Sequence, residues 1–240
     1  MEEKGFSIDY IEFKGVSFGF ESQDSLFKNL DCWFPTDQNV WITSKGDPGR
    51  TCLLKLLAGI YSPNDGNYFL NDLNISDMSF EEFLPYRLKI GYGFDNGGLL
   101  SNRTLLQNVV LPVRYHEIES AEEADRFGQE LLDLFEIGEF ANQRPADVTP
   151  SIRKCALLAR AFIMRPEMVV LDDPDDSMDV AQLKKLIRLI KLARQFWGLR
   201  HVFFSARRRS FGELLATSEI EITKKSIIYR NLPMNNVSGL

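Results

Sequence analysis

One stretch of this chain has side chains whose types and spacing could do chemistry on phosphate. A short apolar run, Val40 to Thr43, enters a loop containing glycine and proline, and a strongly helical stretch, TCLLKLLAGI, follows directly. Strand, glycine-bearing loop and helix in that order can cradle an anion, because successive backbone N–H groups converge at the helix N-terminus. Further along, the apolar run in MVVLDDP closes on two acids, Asp172 and Asp173, and LKIGYGF ends at the turn cluster Asp95-Asn96-Gly97-Gly98.

These residues need elements to position them. IEFKGVSFGF alternates large and small residues like a half-buried strand, and LFKNLDCWF reads as a second strand. GNYFLNDLNI reads as a short strand and turn. Residues from about 104 to 164 are mostly helical by pattern, with loops near 116–120 and 142–152. In ADRFGQELLDLFEIG the residues Phe127, Leu131, Leu134 and Phe135 share one helical face. MVVL predicts a parallel strand buried on both faces. A long basic amphipathic helix, AQLKKLIRLIKLARQFW, could lie on a membrane surface, but helices covering the sheet of an α/β domain have the same pattern. HVFFSA predicts another strand, and EIEITKKSIIYR edge strands.

The 240 residues suit one large α/β domain or a core with a subdomain inserted in it. Twenty-eight basic against 34 acidic residues leave a net charge of −6, which gives no support to nucleic acid as the main partner. Cys32, Cys52 and Cys155 lack metal-ligand spacing and suggest reduced thiols in a cytosolic protein, and His116 and His201 alone leave little room for a histidine metal site. No apolar run approaches the ~20 residues of a membrane span, and MEEKGFSIDY has no signal-peptide core. A role at a membrane would therefore depend on another subunit.

Over nearly its whole length the chain resembles the ATP-binding subunits of ABC transporters, through segments that recur in order. VSFGF resembles the strand whose aromatic, here Phe20, stacks on adenine; a core role for Phe20 is equally open. SKGDPGRTCLLKLLAGI resembles the Walker A loop and helix, and IGYGFDNGGLLSNRTLLQNVVLPVRYH the Q-loop segment. VTPSIRKCALLARAFIMRPEMVVLDDPDDSMD resembles the signature helix, Walker B strand and D-loop, and HVFFSARRRSFGELLATSEIEI the switch region. Within that family, GGLLSNRTLLQNVVLPVRYH is most similar to the ATPase subunits of MCE-type bacterial lipid-transport systems. The resemblance implies an α/β fold: a P-loop NTPase (RecA-like) core, with an N-terminal antiparallel β-subdomain, over about 8–95 and 165–230. A helical insertion would span about 96–164, and a loose tail 231–240. It implies ATP and Mg²⁺ as ligands, a permease docking near Asp95–Tyr115, and a second ATP-binding subunit, the same chain or an intact sister. It also implies a cytoplasmic position, peripheral on the inner face of a bacterial membrane.

The resemblance assigns each position a task, and most positions hold a different residue from the family's. The Walker A pattern falls on Ser44, Lys45, Gly46, Asp47, Pro48, Gly49, Arg50 and Thr51, with Cys52 next. Gly49 and the Mg²⁺-binding hydroxyl of Thr51 remain. Arg50 replaces the lysine, Asp47 adds a repelling charge, and Pro48 removes a donor. Asp95 stands for the Q-loop glutamine, and could bind Mg²⁺ only if the backbone moved closer. The signature positions read Val148, Thr149, Pro150, Ser151 and Ile152: Thr149 keeps the hydroxyl, and Pro150 suits a helix start. Asp172 would organise Mg²⁺, whereas Asp173 replaces the catalytic glutamate and falls about 1 Å short, a misplacement that can cost about 10²-fold. Asp176-Ser177-Met178-Asp179 is close to the family's D-loop. Ala206 occupies the switch-histidine position, and Arg207, Arg208 and Arg209 read as a solvated basic turn. Phosphoryl transfer needs these charges together, so the expected function is a catalytically degenerate subunit that supports a transporter by structure. An active but atypical ATPase and a non-transport adaptor are the alternatives.

Overall fold

The computed structural model describes residues 7–20, 25–44, 49–95, 97–223 and 226–232. The amino-terminal alternation becomes a four-stranded antiparallel sheet, ordered β2 (Phe27–Phe34), β1 (Ile11–Phe18), β4 (Asp65–Leu70) and β5 (Leu73–Asn74). Its inner face, with Phe13, Phe34, Tyr68 and Leu70, packs on one side of a second sheet. That sheet has six strands in the order β10 (Ile227–Asn231), β9 (Ser218–Ile222), β3 (Asn39–Ser44), β8 (His201–Phe204), β7 (Met168–Leu171) and β6 (Ile90–Gly93). All its pairings are parallel except β10 on β9. The strands MVVL and HVFF are buried at every position, as continuous apolar runs between two covered faces must be.

Helix α1 (Gly49–Leu57) belongs to the core shared with the antiparallel sheet. α6 (Pro150–Phe162) and α7 (Val180–Phe196) build the opposite core with α3 (Leu105–Val109), α4 (Leu111–Tyr115) and α5 (Ala121–Leu134). Local chemistry fixes several helix starts: Thr104 with Gln107, Ser120 with Glu123 and Asp179 with Gln182 form reciprocal capping boxes. The basic helix α7 buries Leu183, Leu186, Ile187, Leu189, Ile190 and Ala193, so its apolar face belongs to the core rather than to a membrane. No helix among the described residues is long and apolar enough to cross a membrane.

Two elements were not read from the sequence: α2 (Phe80–Arg87), capped by Ser79 and Glu82 despite an internal Pro85, and α8 (Arg209–Leu215). The expectation of two edge strands at the end of the chain is corrected, because β9 lies between β10 and β3 and only β10 is at the edge. Asn231 belongs to β10 and the Leu232 N–H donates to Thr217 O, so both are tied to the sheet rather than to a tail. Residues 233–240 lie outside the described residues.

Gly91 on β6 is required by close approach: a Cβ there would stand 2.0 Å from the carbonyl oxygen of Ala161 on α6. The absent side chain lets α6 lie against the end strand of the parallel sheet, whose carboxyl end carries the candidate site.

His201 is fully buried at the start of β8. Its Nδ1 accepts the Asp37 N–H at 3.1 Å, and Nε2 bonds the carbonyl of Ile8. Burial pushes the imidazole pKa down; the Ile8 carbonyl and Asp37 oppose the shift, and Arg200 and Arg194 add to it. The unfolded chain takes up a proton below about pH 6.5 that the folded chain refuses. Stability present above that pH is therefore lost as pH falls toward the folded pKa, by up to about 1.4 kcal/mol per unit. Urea midpoints measured between about pH 7 and 5 should fall for the wild type and flatten in His201→Gln. Parallel curves would count against this assignment.

Candidate functional site

In the parallel sheet Gly93 pairs Leu171 and Leu171 pairs Phe204, so β6, β7 and β8 end level. The residues that follow therefore share one edge: Phe94 and Asp95, then Asp172 to Asp176, then Ser205 to Arg208. Carboxyl ends of parallel strands are where open α/β sheets hold ligands. α1 brings Arg50 and Thr51 to the same place.

Asp172 is the centre. Its Oδ1 accepts from Thr51 Oγ1 at 3.1 Å and Ser205 Oγ at 3.0 Å, and its Oδ2 accepts from Tyr92 OH at 3.4 Å. Burial raises its pKa; the Thr51 and Ser205 hydroxyls work against the shift, while Asp173 and Asp95 add to it. Tyr92, buried and facing this carboxylate, is itself held well above the usual phenol range. Asp173 adopts φ +40°, a left-handed conformation unusual for a side chain of this type, and its N–H donates to Ser205 Oγ at 2.7 Å.

Cations from three directions meet these acids. Arg207 places Nε 3.2 Å from Asp173 Oδ2, Nη2 3.0 Å from Asp95 Oδ2 and Nη1 3.3 Å from Asp176 Oδ1. Burial works against its charge, yet Asp95, Asp176 and Asp173 keep its pKa above the ordinary value. Arg50 donates through Nη1 to Ala206 O at 3.0 Å and holds Nη2 3.7 Å from Asp173 Oδ2. From beneath, the Lys154 ammonium, in a residue only 3% exposed, donates to Asp95 O at 2.8 Å, Phe94 O at 3.1 Å and Asp172 O at 3.4 Å. Burial lowers its pKa, and the carboxylates of Asp95, Asp176, Asp172 and Asp173 resist that.

Arg208 is also engaged. Asp175, fully buried in its side chain, accepts the N–H groups of Arg207 and Arg208 at 3.0 and 2.7 Å. Arg208 Nη2 donates to Asp175 O and Met178 O. The expected solvated basic turn is thus corrected: Arg207 and Arg208 fold onto the acid loop, and Arg209 alone of the three is mostly exposed, paired to Glu213. Sequence reasoning also missed Lys154, Ser205, Tyr92 and Asp175. Four acids in the five residues after a buried strand were the available signal, because such a density needs countercharge.

The structure brings together Asp95, Asp172, Asp173, Arg50, Thr51 and the backbone of Ala206. Ser44 ends β3, Gly49 opens α1, and Cys52 is buried in the core beneath. Gly46 and Asp47, with Lys45 and Pro48, lie outside the described residues. Thr149 caps α6, accepting the Ile152 N–H at 3.4 Å, with Pro150 in the first turn, while Ser151 Oγ accepts from Gln182 Nε2 at 2.7 Å. Both hydroxyls in the signature positions therefore have partners within the chain. Phe20 is exposed, in T-shaped contact with Phe18 and Tyr61, so it is not part of the core.

A family profile described as ABC transporter matches residues 27–176. The chain belongs to the ABC transporter family. Among curated relatives of this family, the methionine import ATP-binding protein MetN 1 of Acinetobacter baylyi is 24% identical over 212 residues, covering 87% of this chain and 59% of that protein. The "Probable ribonucleotide transport ATP-binding protein mkl" of Mycobacterium leprae is 27% identical over 180 residues, covering 75% of this chain and 52% of its own length. The chain thus spans about half the length of the curated relatives it matches. The ABC cassette MJ0796, solved as a dimer bound to ADP and Pi, superposes with a TM-score of 0.84 at 21% identity, covering 93% of this chain and 99% of that one. The fold is that of an ABC cassette: a P-loop α/β core with an antiparallel β-subdomain and a helical subdomain.

ABC cassettes bind ATP with Mg²⁺, so the donor set can be tested against that pair. Thr51 and Asp172, whose side-chain oxygens lie 3.1 Å apart, are available to a Mg²⁺ ion. The remaining acids are not, because Asp95, Asp173 and Asp176 are held by Arg207. Among the described residues no three His, Cys, Asp or Glu side chains are grouped to hold a metal ion. Arg50 is turned toward Ala206 and Asp173.

Proposed function

We propose that this chain is the ATP-binding-cassette subunit of a membrane transporter, with little or no ATP hydrolysis of its own, acting structurally with a permease. The observation that carries the reading is Arg207: one guanidinium pairs with Asp95 and Asp173, at the Q-loop and catalytic-glutamate positions that a hydrolytic centre needs free for metal and water. The chain sits on the cytoplasmic face of the membrane, held there by its permease and paired with a second ATP-binding subunit. The similarity of residues 97–116 to MCE-type systems favours a lipid-related cargo.

An apolar groove of about 430 Å³ supports permease docking. It is lined by Phe80, Leu84, Phe94, Leu111, Tyr115 and Met164, among others, so it opens beside the Asp95–Tyr115 segment. Phe80 and Tyr115 are 72% and 77% exposed, more than an aromatic normally is without a partner. An amphipathic helix from a permease would lay its apolar face here. Phe80→Ala with Tyr115→Ala should leave the melting temperature within about 2 °C, since both rings are largely in water. Retention of the permease on affinity-tagged chain from solubilised membranes should fall by about tenfold or more. Capture of neither a permease nor a second ATPase by the wild type would overturn the reading.

One observation favours an atypical ATPase. Asp173 Oδ1 is buried without a hydrogen-bond partner, and the Thr51–Asp172 pair is intact. Calorimetric titration with Mg-ATP separates the two readings: the structural role expects no saturable heat, and the ATPase requires it.

A further inference from the structure

Asp95 follows β6, Asp173 and Asp176 follow β7, and Arg207 follows β8; one guanidinium joins all three loops at 3.0 to 3.3 Å. We propose that Arg207 is an internal latch, a positioning residue that fixes these loops in one arrangement without nucleotide or divalent cation. The proposal concerns this chain alone and stands whether or not a permease is its partner.

Arginine suits the task because its planar fork presents donors in fixed directions, and each of its three nitrogens meets a different carboxylate. Its base is pinned as well, since the Arg207 N–H is held by the buried Asp175. Two further cations repeat the pattern. Lys154 joins the loop after β6 to the one after β7 through the carbonyls of Phe94, Asp95 and Asp172. Arg50 joins α1 to the loops after β7 and β8. Three cations thus face four carboxylates, those of Asp95, Asp172, Asp173 and Asp176, and each cation spans at least two segments.

The consequence reaches the groove. The loop at Asp95 leads to the segment that carries Leu111, Pro112 and Tyr115 into the groove wall. In this chain Arg207 holds the Asp95 carboxylate and Lys154 its carbonyl, so the groove and the acid loop are coupled by residues that do not come and go.

Hydrogen exchange on the full chain, with and without Mg-ATP, tests the latch. In Arg207→Ala, amides of residues 93–95, 172–178 and 205–208 should exchange about tenfold faster or more, while α5 keeps its wild-type rates. Arg207→Lys should leave most of that loss in place, because an ammonium keeps the charge but not the fork. Mg-ATP should add no protection to these segments in the wild type. The latch is overturned by wild-type exchange in Arg207→Ala, by equal acceleration across the whole chain, or by full rescue with lysine. Protection of these loops by Mg-ATP in the wild type would overturn it too, since the loops would then still await a ligand.

Discussion

Replacing Lys154 by methionine should destabilise the fold by about 3 kcal/mol or more, although the stem volume is nearly conserved. The ammonium is buried and donates to the carbonyls of Asp95, Phe94 and Asp172, while four aspartates surround it. Two effects compete. Removing a buried charge recovers its desolvation cost, which is why whole buried ion pairs can be replaced by apolar residues without loss. Here the partners stay behind: the carboxylates of Asp95 and Asp172 and three backbone acceptors lose their nearest buried cation. Breaking one side of such a cluster costs more than the recovered desolvation. In a domain of this size the melting temperature should drop by about 6 to 12 °C, with an unchanged urea m-value. A change below about 0.5 kcal/mol would mean that desolvation cancels the contacts, and that Lys154 does not organise the loops.

The elements around the site were legible because their signals are local. MVVL and HVFF are continuous apolar runs, and both became strands buried at every position. Pro150 suits a first turn, and α6 begins there, capped by Thr149. The capping box of Ser79 and Glu82 is equally local, and α2 runs on through Pro85. The site itself was legible only as a set of positions. Three adjacent arginines look like a solvated turn, and only the fold shows that Asp175 and Asp176 lie within reach of two of them. Lys154 shares a stripe with Leu158 and Ala161, at i, i+4 and i+7, which is a buried face of α6. A lysine on that stripe must find acceptors, and the sequence does not say which. The interior position of β9 is non-local in the same way, because its second neighbour, β3, lies more than 170 residues earlier.

Restoring the family residues one at a time should leave ATP hydrolysis at background, whereas restoring them together should raise it by about 10²-fold or more. The wild type is expected to turn over Mg-ATP no faster than Asp172→Asn. Asp173→Glu alone supplies the missing methylene, but the longer carboxylate still meets Arg207 and Arg50, which now hold Asp173. Asp95→Gln alone frees one nitrogen of Arg207 and leaves two carboxylates on it. Arg50→Lys alone returns the point charge to α1 while Asp173 still attracts it. Ala206→His alone adds an imidazole beside acids that remain paired. With all four changes, Arg207 loses Asp95 and the geometry it shared with Asp173, and the charges that act as a unit are present together. Steady-state phosphate release at saturating Mg-ATP reads the outcome. A single substitution that gave the full rise would show that one residue, not the network, silences the site. Wild-type turnover abolished by Asp172→Asn would sink the structural reading altogether, because the latched arrangement would then be an active centre.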